Sequence, residues 1–383
     1  MSKDKKKKSL RYSLLRPISN EKWQHISIPL MAILISFIAA AIVILLIGKN
    51  PLQAFYNLFQ GAGILPKPSY AGYKSMLTDF TSLLNAMTPL VFASLAVAVA
   101  YRAGLFNIGV AGQMLVSGFL ATVIVGYSGL DAIIAKPLVL VIGIIAGALM
   151  GGLVGWLKHR FNINEVVSTI MLNYIAQYVI SFFIQMYYID PVSRQSRYIS
   201  DAARLTLVNV EVGNLKMDIP LGFILAILTA VLIKFMMDKT VVGFELKAVG
   251  SNRKAAKYAG INVGRNTVLA MVISGGLAGL AGVTYYLGYF ASIQPKVLSD
   301  LGFDSIAVSL LGNSHPIGVI FSSFLVSIID QGSTYMSSQA GIRQEISSVI
   351  IGSILLFSAC GVYMKYKVNR LKEQVADRKE NES

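Results

Sequence analysis

Long apolar stretches recur along the chain and are separated by short polar segments. The clear ones lie at residues 26–48, 80–101, 108–127, 137–157, 166–189, 220–236, 267–290 and 346–364. An α-helix rises about 1.5 Å per residue, so about 20 apolar residues cross the roughly 30 Å hydrocarbon layer of a bilayer. Each stretch therefore predicts a helix that spans, or nearly spans, a membrane.

A further apolar segment, residues 303–335, is interrupted by the sequence GNSHPIG. We interpret it as a short helix over about residues 303–312 and a fuller one over about 316–335. The chain then has about ten transmembrane or near-transmembrane helices, and an even number places both termini on one side of the membrane. The pattern predicts an all-α polytopic membrane protein whose membrane domain covers residues 26–364.

Composition agrees with this fold and limits the kinds of chemical site that the chain can contain. Hydrophobic residues make up 55% of the 383 residues and charged residues only 14%, whereas a soluble domain is about 25% charged. The single cysteine, Cys360, excludes an internal disulfide bond. Three scattered histidines without paired cysteines do not provide the ligand spacing of a zinc site, so no metal site is predicted.

The net charge of +15 is distributed by membrane side, which favours a bilayer rather than a nucleic acid as the charged partner. Residues 234–265 contain seven basic and two acidic residues, whereas residues 190–218 contain four of each. Cytoplasmic loops carry the excess of Lys and Arg. We therefore expect a cytoplasmic loop at 238–266, an extracytoplasmic loop at 190–219, and cytoplasmic tails at 1–25 and 365–383.

Small residues recur at every fourth position in two of the predicted helices. Gly143, Gly147, Gly151 and Gly155 form one row, and Gly275 and Gly279, with Ala278 and Gly282, form the other. Rows with this spacing produce a shallow groove that lets a neighbouring helix approach closely in lipid. We predict close helix packing along both rows, and a hinge is the alternative.

Polar residues also recur at every fourth position in the predicted helix 166–189. Thr169, Asn173, Gln177, Ser181 and Gln185 form one slanted stripe, with Tyr174, Tyr178 and Phe182 beside it. Unsatisfied polar groups are costly in hydrocarbon, so the stripe is not expected to face lipid. It either hydrogen-bonds to a neighbouring helix or lines a cavity for a polar solute.

The stretch AGLFNIGVAGQM, residues 103–114, combines three glycines with Asn107 and Gln113. Glycine disfavours a regular helix by about 1 kcal/mol relative to alanine. The stretch therefore predicts a broken or closely packed helix, of the kind that transporters use at their substrate sites. The sequence FDSIAVSLLGN, residues 303–313, is a loose counterpart and indicates two related halves of about 200 residues each.

These features together predict a pathway for a polar solute. The candidate lining residues are Phe106, Asn107, Gln113, Asn173, Tyr174, Gln177 and Asp304. The other ionisable groups of the apolar segments are few (Glu165, Asp330 and Glu345), which argues against a carrier driven by an ion gradient. The sequence has no G-x-x-x-x-G-K-[ST] motif for ATP phosphates and no catalytic constellation. We expect a transport subunit without a cofactor of its own, powered by a separate chain that binds ATP.

Residues 243–265, GFELKAVGSNRKAAKYAGINVGR, resemble the coupling segment of ABC-importer permeases of the simple-sugar/ribose class. The match is carried by Gly243, Ala248, Gly250, Asn252, Ala255, Ala256, Gly260 and Ile261. The resemblance implies that this basic segment contacts an ATPase, with Gly250, Asn252, Ala255, Ala256 and Gly260 as coupling residues. Without the resemblance, an ordinary solvated loop is the simpler interpretation.

Two further segments resemble the nucleoside-type branch of that class. Its FNIG-x-x-GQ signature is matched by Phe106, Asn107, Ile108, Gly109, Gly112 and Gln113, and residues 302–319, GFDSIAVSLLGNSHPIGV, resemble its second-half signature. Many members of the branch have Glu where this chain has Ala111, which leaves the exact substrate open. The resemblance covers roughly residues 80–364.

This resemblance implies a permease subunit of an ATP-driven nucleoside importer in a bacterial plasma membrane. The expected partners are a cytoplasmic ABC ATPase, a second and different permease chain, and an extracytoplasmic binding protein or lipoprotein. The loop 190–219, with Arg194, Arg197 and Arg204, is either a docking surface for the binding protein or an ordinary polar loop. A permease for free sugars such as ribose or galactose is the alternative function, and an ion-coupled carrier is a more distant one.

Overall fold

The computed structural model describes residues 24–360 together with residues 363, 366 and 370. The predicted tails at 1–25 and 365–383 lie almost entirely outside the described residues. The described chain forms thirteen α-helices and one two-stranded sheet. The helices are α1 (Gln24–Leu46), α2 (Pro51–Gly61), α3 (Met76–Arg102), α4 (Val110–Ala121), α5 (Ala132–Phe161), α6 (Glu165–Phe183), α7 (Leu221–Lys239), α8 (Val241–Ser251), α9 (Arg253–Tyr258), α10 (Val263–Thr284), α11 (Leu301–Leu311), α12 (Pro316–Ala340) and α13 (Ile346–Ala359). Short π-helical turns extend α4 to Gly126, α6 to Tyr188 and α10 to Phe290.

Ten of these helices correspond to the predicted apolar stretches. In the described part of the chain, seven helices are long and apolar enough to cross a membrane, namely α1, α3, α5, α6, α7, α10 and α12. The helices α4, α11 and α13 are apolar but shorter. The predicted helical polytopic fold is therefore confirmed.

Polar side chains fix the helix starts between these stretches. Ser75 and Thr78 form a reciprocal capping box at the start of α3. The Asn164 side chain accepts a hydrogen bond from the Val166 amide at the start of α6, with N and Oδ1 2.8 Å apart. The preceding helix, α5, ends at Asn162, whose left-handed φ of 54° is a conformation that Asn tolerates at helix ends. Local polar residues thus divide one long apolar region into separate helices.

The two rows of small residues bring α5 and α10 together along their backbones. A side chain added at Gly147 would collide with the carbonyl oxygen of Gly275, and one added at Gly279 would collide with that of Gly143. Close packing, the predicted role of these rows, is confirmed. Gly282 differs from the rest of its row because it faces the main chain of α4.

One element that the hydrophobic pattern does not predict is α2, a short amphipathic helix. Asn50 caps it by accepting a hydrogen bond from the Leu52 amide at 2.9 Å, and Pro51 occupies its first turn. At its other end, Gly61 packs against the main chain of Gly332 in α12. The Asn-Pro pair is a start signal that is present in the sequence.

The other unpredicted element is a β-hairpin inside the loop 190–219. β1 (Thr206–Val212) and β2 (Leu215–Pro220) pair in antiparallel fashion around the two-residue turn Gly213-Asn214. Gly213 has a φ of 62°, which a turn of this kind requires. The alternating sequence TLVNVEV followed by Gly-Asn is typical of such a hairpin. The all-α class is confirmed for the membrane helices, and this hairpin is a short addition to it in a connecting loop.

The helices α3 and α10 lie at the centre of the bundle, and α3 is buried continuously from Met87 to Ala100. One end of the bundle contains α8, α9, the end of α3 and the turn 312–315. We call it the α8–α9 end. The opposite end contains β1 and β2, and we call it the hairpin end. The segment after α10 also lies there, because Ala291 accepts a hydrogen bond from the Ile199 amide at 3.2 Å.

Candidate functional site

The predicted interruption at residues 103–114 is present. α3 ends at Arg102, α4 begins at Val110, and the residues between them are not helical. Gly104 turns the chain with a φ of 69°, in the left-handed region that favours glycine. The turn is closed by the Leu105 amide, which donates to the Ala100 carbonyl at 3.0 Å. The broken helix that the glycines and amides predict is therefore confirmed for this segment.

Asn107 and Gln113 are buried and bonded to each other. The Asn107 Nδ2 atom donates to Gln113 Oε1 at 3.0 Å and to Ser274 Oγ in α10 at 2.8 Å. Its Oδ1 atom accepts the Gly109 amide at 2.9 Å. Ser274 in turn donates to the Ala96 carbonyl in α3 at 2.7 Å. This amide network, formed by Asn107, Gln113 and Ser274, therefore ties the interruption to both central helices.

The α6 stripe makes hydrogen bonds to other elements. Asn173 accepts the Gly112 amide of α4 and donates to the Ile108 carbonyl, both at 3.0 Å. Gln177 donates to the Lys296 carbonyl at 2.6 Å, and the Lys296 amide donates to Ser181 Oγ at 2.7 Å. Hydrogen bonding between elements, one of the two interpretations of the stripe, is thus observed for Asn173, Gln177 and Ser181.

The aromatic residues beside the stripe point away from the bundle. Tyr174, Tyr178 and Phe182 are all more than half exposed, and Gln185 is exposed as well. Exposed glutamine is unfavourable against lipid. This surface, the α6 outer face, consequently combines aromatic rings with a polar group that requires a partner.

The starts of α4 and α11 meet inside the bundle. A Cβ atom added at Gly302 would lie 2.7 Å from the Cβ atom of Ala111. Asp304 lies in the first turn of α11, and Asn107 lies three residues before α4. The second-half interruption differs from the predicted one, because residues 301–311 are helical and the non-helical segment is 291–300.

Asp304 belongs to a polar and aromatic cluster whose other members were not predicted as pathway residues. Gln331 of α12 donates to the Tyr289 hydroxyl at 2.8 Å, and the rings of Tyr285 and Tyr289 are stacked with centroids 6.3 Å apart. Asp330 interacts electrostatically with Asp304 and with Tyr289. We call Tyr285, Tyr289, Asp304, Asp330 and Gln331 the Tyr289 cluster. Two features of the sequence could have indicated this cluster, namely the run TYYLGYF and the Asp-Gln pair within the apolar α12.

The predicted coupling residues mainly shape the α8–α9 segment. Gly250 packs so closely against α3 that an added Cβ atom would collide with the Arg102 carbonyl oxygen. Asn252 caps α9 by accepting hydrogen bonds from the Lys254 and Ala255 amides, each at 3.0 Å. Gly260 ends α9 with a φ of 81°, which favours glycine.

The remaining surface of this segment is available for contact. Ala256 is buried beneath it, whereas Ala255 is exposed. Tyr258 is 94% exposed, and Val241 and Phe244 are also largely exposed. Val241 and Phe244 lie three residues apart, on one face of α8, and neighbouring exposed apolar side chains are typical of an interaction site. Tyr258, Val241 and Phe244 were not among the residues predicted from the sequence.

Comparison of the sequence with known proteins finds similarity to transporter permeases. The family model described as "Branched-chain amino acid transport system / permease component" matches residues 80–359. The nucleoside ABC transporter permease protein NupB of Lactococcus lactis subsp. cremoris is 34% identical over an alignment of 376 residues that covers 95% of this chain and 99% of NupB. The guanosine ABC transporter permease protein NupP of Bacillus subtilis is 36% identical over 93% of this chain and 99% of NupP. The glucose ABC transporter permease protein TsgB13 of Haloferax volcanii is 26% identical over 90% of both chains.

Proposed function

Because this chain belongs to the ABC-transporter permease family described by the branched-chain amino acid transport permease model, we propose that it forms the translocation pathway of an ATP-driven nucleoside importer. Family membership and the seven candidate spans agree with the predicted transport role and with a multi-pass protein of the bacterial plasma membrane. The substrate assignment rests on the 34–36% identity to nucleoside and guanosine permeases, compared with 26% identity to the glucose permease.

The structure divides the predicted pathway residues by accessibility. Asn107, Gln113 and Asn173 are buried and bonded within the protein, so in this proposal they hold the interruption in shape. The accessible candidates, Phe106, Tyr174, Gln177 and Asp304, contact the solute together with the Tyr289 cluster. A nucleoside is an uncharged base on a hydroxyl-bearing sugar. Stacked tyrosines suit the base, and carboxylate and amide groups suit the hydroxyls.

The polar α6 outer face supports a second permease chain as partner. Its exposed Gln185 is unfavourable against lipid, and exposed tyrosines such as Tyr174 and Tyr178 are common in protein interfaces. In the proposed assembly this face packs against the second permease, and the pathway runs beside it. Tyr174 and Gln177 then lie close to both the partner and the solute.

The α8–α9 end is proposed to face the cytoplasm and to contact the ABC ATPase. It carries the basic excess of residues 234–265 and the exposed Tyr258, Val241 and Phe244. ATP binds to that partner in this proposal, and the permease needs no cofactor of its own. The hairpin end then faces outward, where the loop 190–219 receives the binding protein or lipoprotein.

Uptake of labelled inosine by cells with and without this chain tests the substrate. Excess unlabelled ribose and glucose serve as competitors, because the 26% identity to a glucose permease makes free sugars the second candidate. We expect chain-dependent inosine uptake that neither sugar suppresses. Uptake suppressed by ribose, or chain-dependent sugar uptake without inosine uptake, would favour the sugar permease instead.

A further inference from the structure

An apolar groove runs along the outside of the α5–α10 helix pair. It has a volume of about 580 Å³ and is lined by Ile144, Ile145, Ala148, Leu149, Gly152, Leu153, Trp156, Val268 and Val272. The glycine packing of the two helices leaves this depression, because Gly152 and the adjacent small residues fill little space. The solute pathway proposed above does not use it.

The length of the groove matches one leaflet of a membrane. From Ile144 to Trp156 the chain advances twelve residues, or about 18 Å at 1.5 Å per residue. Half of the hydrocarbon layer is roughly 15 Å thick. The groove therefore spans one leaflet, and it is the leaflet at the α8–α9 end because α5 ends there.

Two arginines lie just beyond the groove at that end. Arg160 follows Trp156 by four residues on α5, and Arg265 precedes Val268 by three residues on α10, so each lies on the groove side of its helix. Both side chains are exposed, and neither forms an ion pair among the described residues. Glu165 is ion-paired with Lys158, and the Glu245 carboxylate accepts a hydrogen bond from the neutral Asn266 side chain. Neither arginine therefore has a carboxylate within ion-pair distance among the described residues.

We propose that this groove binds an anionic phospholipid of the leaflet at the α8–α9 end. One acyl chain lies along Ala148, Gly152 and Val272, and the phosphate group lies between Arg160 and Arg265. Trp156 is half-exposed at the boundary, where tryptophan is preferred in membrane proteins. The partner permease is a less suitable occupant, since the polar surface that requires a protein partner is the α6 outer face.

Native mass spectrometry of the full chain, purified with mixed phosphatidylglycerol and phosphatidylethanolamine, tests the proposal. We expect retained phosphatidylglycerol in preference to phosphatidylethanolamine. The double variant Arg160→Gln/Arg265→Gln should lose that preference by about fivefold for each arginine. The matched control Lys254→Gln/Lys257→Gln removes two exposed charges at the same end, on residues that do not line the groove, and should keep the preference.

A second variant tests the apolar part without changing charge. Ala148→Phe fills the groove and should release the retained lipid, whereas Leu232→Phe on the exposed surface of α7 should not. Equal lipid loss in both charge variants, or retention in Ala148→Phe, would overturn the proposal. A photocrosslinker at position 156 that captures the second permease instead of phospholipid would overturn it as well.

Discussion

The main chain of Gly250 in α8 lies directly against the main chain of Arg102 at the end of α3. Arg102 also donates to the carbonyl oxygens of Ser314 and Asn313, each at 3.1 Å, and Arg253 donates to the Gly104 carbonyl at 3.3 Å. The proposed ATPase contact and the interrupted helix before Asn107 thus share one set of backbone contacts. Any movement of α8 and α9 would therefore be transmitted directly to the non-helical segment between α3 and α4.

Gly250→Ala tests this contact. The added methyl group meets main-chain atoms that cannot move aside as a flexible side chain can. We expect the free energy of unfolding to fall by about 1–3 kcal/mol, together with most nucleoside uptake, in thermal unfolding and transport measurements. Gly352→Ala in α13 is the control, because a Cβ atom there meets nothing within 4 Å. Normal uptake by Gly250→Ala would show that α8 does not act through Arg102.

Tyr258→Ala tests the exposed side of the proposed ATPase surface, whereas Gly250→Ala tests its buried side. The side chain is 94% exposed, so folding and membrane insertion should not change. An aromatic residue at the centre of an interface contributes about 2 kcal/mol or more to binding, so ATPase affinity should fall by at least about thirtyfold. Binding of the ATPase to detergent-solubilised permease measures this effect. Tyr198→Ala, which removes an exposed tyrosine from the hairpin end, should bind normally, and equal loss in both variants would refute the assignment.

Asn107→Ala should act on stability rather than on substrate preference. It removes the partner of the Gln113 side chain and of the Gly109 amide, whereas Ser274 keeps its hydrogen bond to the Ala96 carbonyl. A buried unsatisfied polar group costs about 1–3 kcal/mol. We expect a lower unfolding temperature and an unchanged ratio of KM values for inosine and uridine. Gln185→Ala, at an exposed position of α6, should unfold normally. A changed KM ratio with normal stability would instead place Asn107 in contact with the solute.

A change in the Tyr289 cluster should affect substrate affinity more than stability, the opposite of the result expected for Asn107→Ala. Tyr289→Phe removes the hydroxyl that accepts from Gln331 but keeps the ring, and a typical hydrogen bond contributes about 0.5–1.5 kcal/mol. In the proposed pathway the hydroxyl also contacts the solute, so we expect the KM for nucleosides to rise by about three- to tenfold. The unfolding temperature should fall less than in Asn107→Ala, because Gln331 is only partly buried. Tyr178→Phe at the α6 outer face provides the matched control and should retain the normal KM. If Tyr289→Phe transports normally, the cluster is not part of the pathway.

The helices follow from the sequence because each apolar stretch must satisfy its own backbone in a membrane. α2 and the β-hairpin could also have been predicted, from Asn50-Pro51 and Gly213-Asn214, but both lie in polar loops that hydrophobic periodicity does not describe. The glycine rows identify α5 and α10 as packing surfaces, and the structure adds that they pack against each other.

The partners of the polar side chains could not be predicted in this way. Asn107 meets Ser274, which is 167 residues away, and Gln177 meets the main chain of Lys296, which is 119 residues away. A stripe on one helix indicates that partners exist, but their identity depends on how the helices pack. The Tyr289 cluster joins side chains of α10, α11 and α12, so it is visible only once those helices are assembled.

The most direct test of the central claim is accumulation of labelled inosine by proteoliposomes that contain the assembled transporter with ATP enclosed. The proposed function predicts accumulation above the external concentration that requires ATP, persists when ion gradients are collapsed, and resists a large excess of ribose. Accumulation driven by an ion gradient without ATP would contradict the proposed mechanism. Accumulation of ribose without inosine would contradict the proposed substrate.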